Sequence, residues 1–200
     1  VLMKEKGFVV SGSDIAESAN TALLSQKGVK VHIGEHNAAN LPPDTRTFVV
    51  VSSAIDAENP ELLRAKELGL KIFRRGEFLA KIAKTYKKTI AVGGSHGKTT
   101  ITSMTAHILK TLGFHPGYVI GGKVSGWKYS GTVGDGTVFV TESDESDGSN
   151  VHISSDTAVV CNVDDDHGWN FESEDALLQN FAKFASLSAA LIYGRGNNAE

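Results

Sequence analysis

The chain has 200 residues, of which 40% are hydrophobic and 22% are charged, an ordinary balance for a globular protein of one large or two small domains. A formal net charge of −3 with scattered basic residues argues against a nucleic-acid-binding surface, and no apolar run approaches the roughly 18 residues of a membrane span. The single cysteine, Cys161, excludes an intramolecular disulfide and fits a reducing compartment, so a cytoplasmic location is expected.

Short β-rich runs alternate with helix-like stretches along the chain. Strands are predicted over 8–11, 29–33, 48–51, 71–73, 89–92, 138–141, 157–162 and 190–193. Helices are predicted near 16–26, 60–68, 77–84, 99–112 and 175–187. This alternation is typical of α/β proteins with mostly parallel sheets.

A domain boundary is predicted at residues 85–88, where a helix-like stretch ends in polar residues before a new apolar strand. Residues 1–85 are expected to form a Rossmann-like domain, and residues 86–200 a second parallel-sheet domain. Both are expected to be incomplete, because the sequence starts within a helix-like stretch and stops soon after a strand-like one. If the first strand of the commonest doubly wound order lies upstream of Val1, the first domain is split, since that strand is central.

Polar residues follow two strands of the first half. Asp14 stands where doubly wound folds place a ribose-binding carboxylate. Ser52 and Ser53 follow the strand 48–51 and could hold a phosphate or a sugar. All three could equally form turns or cap the next helix, so the sequence leaves both interpretations open.

A glycine-rich loop joins the strand 89–92 to the helix 99–112, and its composition predicts a phosphate-binding loop for ATP or GTP. Its residues, all expected to contact the nucleotide, are Gly94, Ser95, His96, Gly97, Lys98, Thr99 and Thr100. Backbone amides and the helix amino terminus attract phosphate, Lys98 reaches the outer phosphates, and the Thr99 hydroxyl can ligate Mg²⁺. Val92 occupies the place of the usual first glycine, so Gly93 or Gly94 must supply the turn. The alternative is a plain glycine-rich turn with an incidental lysine.

The helix after this loop is supported by an apolar stripe of Ile101, Met104, Ile108 and Leu112. Gly113 follows where a left-handed C-cap is expected.

An acidic residue ends the strand 138–141. Glu142 is expected at the same sheet edge as the phosphate loop, because the carboxyl ends of parallel strands lie together. Mg²⁺ prefers carboxylates, phosphate oxygens and water, so Glu142 and Thr99 form a plausible ligand pair. Asp144, Glu145 and Asp147 follow and could equally form a solvated acidic loop.

The strand 157–162 is expected to reach the same edge and leads into Asp164, Asp165, Asp166 and His167. His167 could ligate a second metal or contact the γ-phosphate, or it could be structural. The three aspartates could form only a polar loop.

Taken in order, these motifs resemble the Mur ligases, the ATP-dependent amide-forming enzymes of bacterial cell-wall precursor synthesis, and among them the alanine-adding type. The resemblance is carried by residues 94–100, 142–147 and 162–167, with 11–14, 51–55, 75–77 and 119–122 in support. It runs over the whole chain. One departure is Gly168-Trp169-Asn170 after the histidine, where the family usually has an apolar residue and an acid.

The resemblance implies that Lys98, Glu142 and His167 form the catalytic and metal site, with Thr99, Glu142 and His167 around Mg²⁺. It implies that the first domain binds the UDP part of the substrate, giving Asp14, Ser52 and Ser53 a binding role. The implied reaction joins L-alanine to UDP-N-acetylmuramic acid through an acyl phosphate, at the expense of ATP. The family's carboxy-terminal domain is absent from this sequence, so the 200 residues alone are expected to be inactive.

Three other functions remain open at this point. A related ligase attaches a recycled tripeptide to the same UDP-muramic acid and shares the loop, acid and histidine. A P-loop kinase or regulatory NTPase would need only the nucleotide site. A UDP-sugar-binding module without activity would not need the phosphate loop.

Overall fold

The computed structural model of the protein describes residues 1–44, 46–144, 149–164, 171 and 173–194. The chain divides into two compact units, Val1–Arg75 and Gly76–Glu200. The α/β prediction is confirmed, because both units combine helices with mainly parallel strands. No helix among the described residues is long and apolar enough to cross a membrane.

The described residues of the first unit form three α-helices and four strands, with a short 3-10 helix at Ala38–Asn40. In chain order these are α1 (Leu2–Glu5), β1 (Ser11–Asp14), α2 (Ala19–Gln26), β2 (Lys30–Ile33), β3 (Phe48–Val51), α3 (Pro60–Glu67) and β4 (Lys71–Arg74). Helix α2 begins at a capping box of Ser18 and Thr21, and α3 begins at Asn59, whose side chain accepts from two backbone amides.

The four strands form two separate parallel pairs, β1 with β2 and β3 with β4. The described residues of this unit therefore form two parallel pairs and not one continuous sheet. The Phe48 ring of β3 meets the ring of Phe73 in β4 edge-on at 6.0 Å, and it meets Phe8, which precedes β1, at 6.1 Å. The buried apolar residues of this unit include Val29, Val51, Leu62, Ala65 and Leu70.

The first strand lies three residues later than predicted. The sequence favoured residues 8–11, but β1 covers Ser11–Asp14, and Val9 is fully exposed. Pairing with β2, from Ser11 opposite Lys30 to Asp14 opposite Ile33, decides the position. The intrinsic strand propensity of a residue determines the position of a strand less than pairing with a neighbouring strand does. The polar strand Ser-Gly-Ser-Asp therefore cannot be predicted from its residue types alone.

The second unit is built on a six-stranded sheet. Its elements are α4 (Arg75–Ala83), β5 (Lys88–Gly93), α5 (Lys98–Thr111), β6 (Gly117–Val119), β7 (Gly131–Thr132), β8 (Val138–Glu142), β9 (Ser155–Val160), α6 (Glu174–Ser186) and β10 (Ser188–Tyr193). The strand order is β10-β9-β5-β8-β6-β7, and every pairing is parallel except β6 with β7. Strand β5 is central, and its Ala91 and Val92 are fully buried.

The division between the units falls at Arg75, ten residues before the predicted domain boundary. Helix α4 joins the second unit through its carboxyl end, where Ala83 accepts from the Thr89 hydroxyl and from the Tyr86 amide. The Tyr86 ring stacks on Phe139 of β8 at 4.6 Å. These contacts make the polar segment after α4 a packed connection to β5.

Helix α5 forms as predicted and ends before Gly113, whose φ of +84° is the expected left-handed conformation. Its apolar stripe is not core, however: Met104, Ile108 and Leu112 are exposed, while Thr102 and Ala106 face the sheet. Small residues allow the helix to approach the strands closely. The two short strands β6 and β7 were not predicted.

Candidate nucleotide-binding site

The phosphate loop runs from the end of β5 to the start of α5 and depends on two glycines. Gly94 has φ +133°, and a Cβ there would lie 2.9 Å from the Cβ of Cys161. Gly97 has φ +82° and directly precedes the helix. Both conformations are rare for residues with a side chain. The sequence left open whether Gly93 or Gly94 forms the turn of the loop, and the positive φ shows that Gly94 does.

The residues after β9 hold the outside of this loop. Ser95 donates its hydroxyl to the Asp164 carbonyl at 2.8 Å and accepts from the Asp164 amide at 2.9 Å. The Ser95 amide donates to the carbonyl of Asn162, and the His96 amide donates to the Asn162 side chain. The Ser95 and His96 amides are therefore both engaged by Asn162, just after β9.

Amides for an anion come from the first turn of α5. The first four N–H groups of an α-helix have no partner four residues earlier, and in α5 these include Thr99 and Thr100. The helix dipole adds positive potential at the same place. The geometry therefore favours phosphate at the amino terminus of α5.

Lys98 folds back across the loop. Its Nζ donates to the Gly94 carbonyl at 2.6 Å and lies 3.3 Å from the Ser95 carbonyl. Asp144 Oδ1 stands 3.9 Å away, at the limit of an ion pair. The side chain of Lys98 is only 15% exposed, so its charge is held close to the loop rather than spread into solvent.

Glu142 ends β8, which pairs directly with β5, as the sequence predicted for its strand. Its Oε2 accepts from the Thr99 hydroxyl at 3.1 Å, and its Oε1 accepts from the Gly121 amide at 2.6 Å. A Cβ on Gly121 would lie 2.6 Å from this carboxylate. Two fixed donors thus orient the acid toward the phosphate loop.

The donor set at this point fits Mg²⁺. Thr99 and Glu142 offer a hydroxyl and a carboxylate oxygen within 3.1 Å of each other, the hard oxygen ligands that Mg²⁺ prefers. The described residues include no group of three or more His, Cys, Asp or Glu side chains suited to a metal. His167 lies outside the described residues, as do Glu145, Asp147, Asp165 and Asp166.

The three first-unit residues predicted to bind substrate lie at the carboxyl ends of strands. Asp14 ends β1, is exposed, and accepts from the Ala16 amide at 3.3 Å. Ser52 and Ser53 follow β3 and are exposed, and the Ser52 hydroxyl accepts from the Ala54 amide. Asp14 and Ser52 thus form local turns while remaining accessible to a ligand.

Sequence reasoning missed the supporting role of Asn162 and Gly121. Asn162 was placed at the end of a strand and in a motif of the resemblance, but without a role, although an asparagine at that position can bond loop amides with its side chain. Gly121 lies in the segment 119–122 that supported the resemblance, but its contact with Glu142 was not predicted. Only the structure shows that the close approach of Glu142 requires a glycine there.

Comparison with known proteins identifies relatives over most of the chain. A family model described as Mur ligase family, catalytic domain, matches residues 1–87. UDP-N-acetylmuramate–L-alanine ligase of Carboxydothermus hydrogenoformans is 42% identical over 184 residues, which are 92% of this chain and 39% of that protein. The enzyme of the same name from Streptomyces griseus is 45% identical over 183 residues, again 92% of this chain and 39% of the relative. The chain thus spans about two fifths of the length of these relatives.

Solved structures agree with this result. The crystal structure of UDP-N-acetylmuramate-alanine ligase from Thermotoga maritima matches 97% of this chain and 45% of its own, with a TM-score of 0.87 and 29% identity. UDP-N-acetylmuramate:L-alanyl-γ-D-glutamyl-meso-diaminopimelate ligase from Neisseria meningitides matches 98% of this chain and 67% of its own, with a TM-score of 0.86 and 26% identity.

Proposed function

The chain belongs to the Mur ligase family, and we propose that the complete protein joins L-alanine to the lactyl carboxylate of UDP-N-acetylmuramic acid in an ATP-dependent reaction of peptidoglycan precursor synthesis. The single observation that supports the chemistry best is the contact of Thr99 with Glu142 at the amino terminus of α5. It sets an acidic and a hydroxyl oxygen beside a helix that attracts phosphate. The names of the relatives support the choice of substrates.

ATP is proposed to bind with its phosphates at residues 94–100. Gly94 and Gly97 allow the turn of the loop, and the first-turn amides of α5 would donate to the phosphate oxygens. Lys98 would exchange its carbonyl partners in the loop for the outer phosphate oxygens. The Lys98 ammonium group would then stabilise the negative charge that accumulates when a carboxylate approaches the γ-phosphate.

Mg²⁺ would be held by Thr99 and Glu142, with His167 proposed as a further contact of the metal or γ-phosphate. Bound there, Mg²⁺ supplies charge neutralisation and alignment of the phosphates. The Gly121 amide keeps the Glu142 carboxylate in its orientation.

The proposed reaction has two steps. A lactyl carboxylate oxygen attacks the γ-phosphorus of ATP, the bond to the β-phosphate oxygen breaks, and ADP leaves. The amine of L-alanine then attacks the acyl carbon, the carbon–oxygen bond to phosphate breaks, and the amine loses a proton as the amide forms. Neither step needs a nucleophilic side chain, so charge and positioning by residues such as Lys98 account for catalysis.

We assign UDP binding to residues 1–85 and the ATP site to residues 86–200, in a cytoplasmic enzyme. The family model ends at residue 87, which supports this division, although the compact units separate ten residues earlier. Asp14, Ser52 and Ser53 stand at carboxyl strand ends, where doubly wound folds bind ligands.

A second candidate is the ligase that adds a tripeptide to the same UDP substrate, favoured by the close structural match to the Neisseria meningitides enzyme. Assay of the full-length protein with UDP-N-acetylmuramic acid, ATP and either L-alanine or tripeptide separates the two. We expect ADP formation with L-alanine. Turnover only with tripeptide would overturn the assignment, and ATP hydrolysis that needs neither substrate would favour a kinase or regulatory NTPase.

A further inference from the structure

Asp144, two residues after Glu142, has a backbone that is held on both sides. The Ser143 amide donates to the Val92 carbonyl at 2.9 Å, which continues the pairing of β8 with β5. The Asn150 amide donates to the Asp144 carbonyl at 3.1 Å. The position of Asp144 is therefore fixed by the sheet before it and by residue 150 after it.

Residue 150 is itself anchored to a helix. Asn150 is fully buried in the short 3-10 helix Ser149–His152, and its side-chain amide donates to the side-chain oxygen of Asn180 in α6. Closely packed interior side chains change position only when their neighbours do. The backbone of Asp144 is thus tied to the packed interior, although its side chain is 36% exposed.

The side chain of Asp144 lies next to the ammonium group of Lys98. Its Oδ1 is 3.9 Å from Nζ, too far for a hydrogen bond but within the reach of an ion pair. The printed hydrogen bonds of Nζ go to the carbonyl oxygens of Gly94 and Ser95, which carry no net charge. Asp144 therefore sets a negative charge beside the lysine of the phosphate loop.

The same ammonium group is assigned to the outer phosphates of ATP. When a phosphate takes Lys98 away from Asp144, the protein loses the attraction between the two side chains. A ligand that must first disrupt a contact of the free protein binds more weakly by the free energy of that contact. The carboxylate also repels an approaching anion. Both effects lower the affinity of the loop for nucleotide.

We propose that Asp144 is a positioning residue that opposes nucleotide binding through Lys98, so that its carboxylate and the terminal phosphate of ATP compete for one ammonium group. This rests on the proposed function for the place of the phosphates at residues 94–100. The γ-phosphate is the group that displaces Asp144. A nucleoside diphosphate lacks it and leaves more of the contact between Asp144 and Lys98 intact. Asp144 therefore weakens the binding of ATP more than the binding of ADP.

The test is calorimetric titration of the full-length protein, at saturating Mg²⁺, with ADP and with a non-hydrolysable ATP analogue. Asp144→Asn removes the charge and keeps the size of the side chain. Asp156→Asn makes the same change at a second pair of aspartate and lysine, where Asp156 lies 2.6 Å from Lys88, and serves as the matched control. That pair stands at the amino ends of β5 and β9, at the sheet edge opposite the phosphate loop.

We expect Asp144→Asn to bind the ATP analogue roughly 2- to 5-fold more tightly than the wild type, the range of a partly exposed ion pair, and to gain less with ADP. Asp156→Asn should bind both nucleotides as the wild type does. The gain should shrink as the salt concentration rises, because ions screen an exposed carboxylate. In a Lys98→Ala background the same substitution should change the affinity by less, since no ammonium group is left to compete for.

Weaker binding of the analogue by Asp144→Asn would overturn the proposal, because the acid would then assist the nucleotide or its metal. Unchanged binding would overturn it as well, and so would an equal gain in the Lys98→Ala background, since the acid would then act without Lys98. If Asp144→Asn fails to fold, Asp144→Ala removes the same charge and carries the test. Failure of the wild-type protein to bind either nucleotide would instead overturn the proposed function itself, and this inference with it.

Discussion

The Thr99 hydroxyl donates to Glu142 Oε2 at 3.1 Å, joining the first turn of α5 to the end of β8. These residues are 43 positions apart and meet because β5 and β8 are parallel neighbours. The contact sets the acid beside the phosphate loop, where a divalent cation would bridge protein and nucleotide. The predictions on catalysis follow from this arrangement.

Lys98→Ala should abolish turnover of the full-length enzyme, with kcat lowered by at least about 100-fold, because the variant removes the positive charge that Nζ holds against the loop. Binding of UDP-N-acetylmuramic acid should be nearly unchanged, since that ligand is assigned to the other domain. Steady-state kinetics and titration of the UDP substrate measure both effects. Lys110→Ala, in the last turn of the same helix, is the matched control. Full activity of Lys98→Ala would show that Lys98 does not contribute to catalysis through the phosphates.

Glu142→Gln should raise the Mg²⁺ concentration needed for half-maximal activity by at least about 10-fold, because the amide is a poor ligand for a hard cation. The variant keeps the size and hydrogen-bonding reach of the side chain toward Thr99 and Gly121, so folding should be preserved. Activity is measured as a function of Mg²⁺, with Asp135→Asn, an exposed acid of the same unit, as control. An unchanged Mg²⁺ dependence would show that Glu142 does not hold the metal.

Gly94→Ala and Gly97→Ala form a matched pair that separates crowding from backbone conformation. Both glycines have positive φ, but only at Gly94 would a Cβ meet other atoms, with the Cys161 amide at 3.0 Å and Cβ at 2.9 Å. We expect Gly97→Ala to lower the free energy of unfolding by about 1–2 kcal/mol and Gly94→Ala by at least about 1–3 kcal/mol more. Denaturant unfolding measures the difference, and equal losses would contradict the close packing of Gly94 against Cys161.

The parts of the fold that the sequence predicted well are those set by strong local patterns. Strands such as β5 and β9 are apolar and buried, and the loop from Gly94 to Thr100 carries its own chemistry, so both were visible without coordinates. Strand β1 is polar and was misplaced, because its position depends on pairing with β2. The apolar stripe of α5 correctly predicted a helix, but it is not the buried face. The buried face is the one that carries Thr102 and Ala106.

The candidate site shows the same division. Its phosphate-loop residues and Glu142 follow from residue types at strand ends, which a sequence displays. The residues that orient them cannot be recognised in this way. Asn162 binds His96 across 66 residues of chain, and Gly121 binds Glu142 across 21 residues. Glu61 in the first unit is a similar case, because the donors around its carboxylate come from two separate segments, Ser13 and residues 36–40.

Asp156→Asn should remove part of the acid sensitivity of the second unit. The pKa of Asp156 is held below its usual value by hydrogen bonds from the Lys88 ammonium group and the Thr89 amide. A lowered pKa means that the carboxylate contributes stability above its unfolded pKa, about 3.9, and that this contribution is lost as pH falls through the folded value.

At neutral pH the loss in Asp156→Asn should be within about 1 kcal/mol, because the Lys88 pair is largely exposed. Below pH about 4 the variant and the wild type should converge. Unfolding free energies measured from pH 7 to pH 2.5 test this, and a difference that grows with acidification would contradict it.

The central claim is that this site uses ATP to activate a carboxylate. It is tested most directly by turnover of UDP-N-acetylmuramic acid labelled with ¹⁸O in both oxygens of its lactyl carboxylate, in the presence of ATP and L-alanine. Attack of that carboxylate on the γ-phosphorus predicts one ¹⁸O in each phosphate released and one in the amide carbonyl of the product. Release of unlabelled phosphate during amide formation would contradict the account.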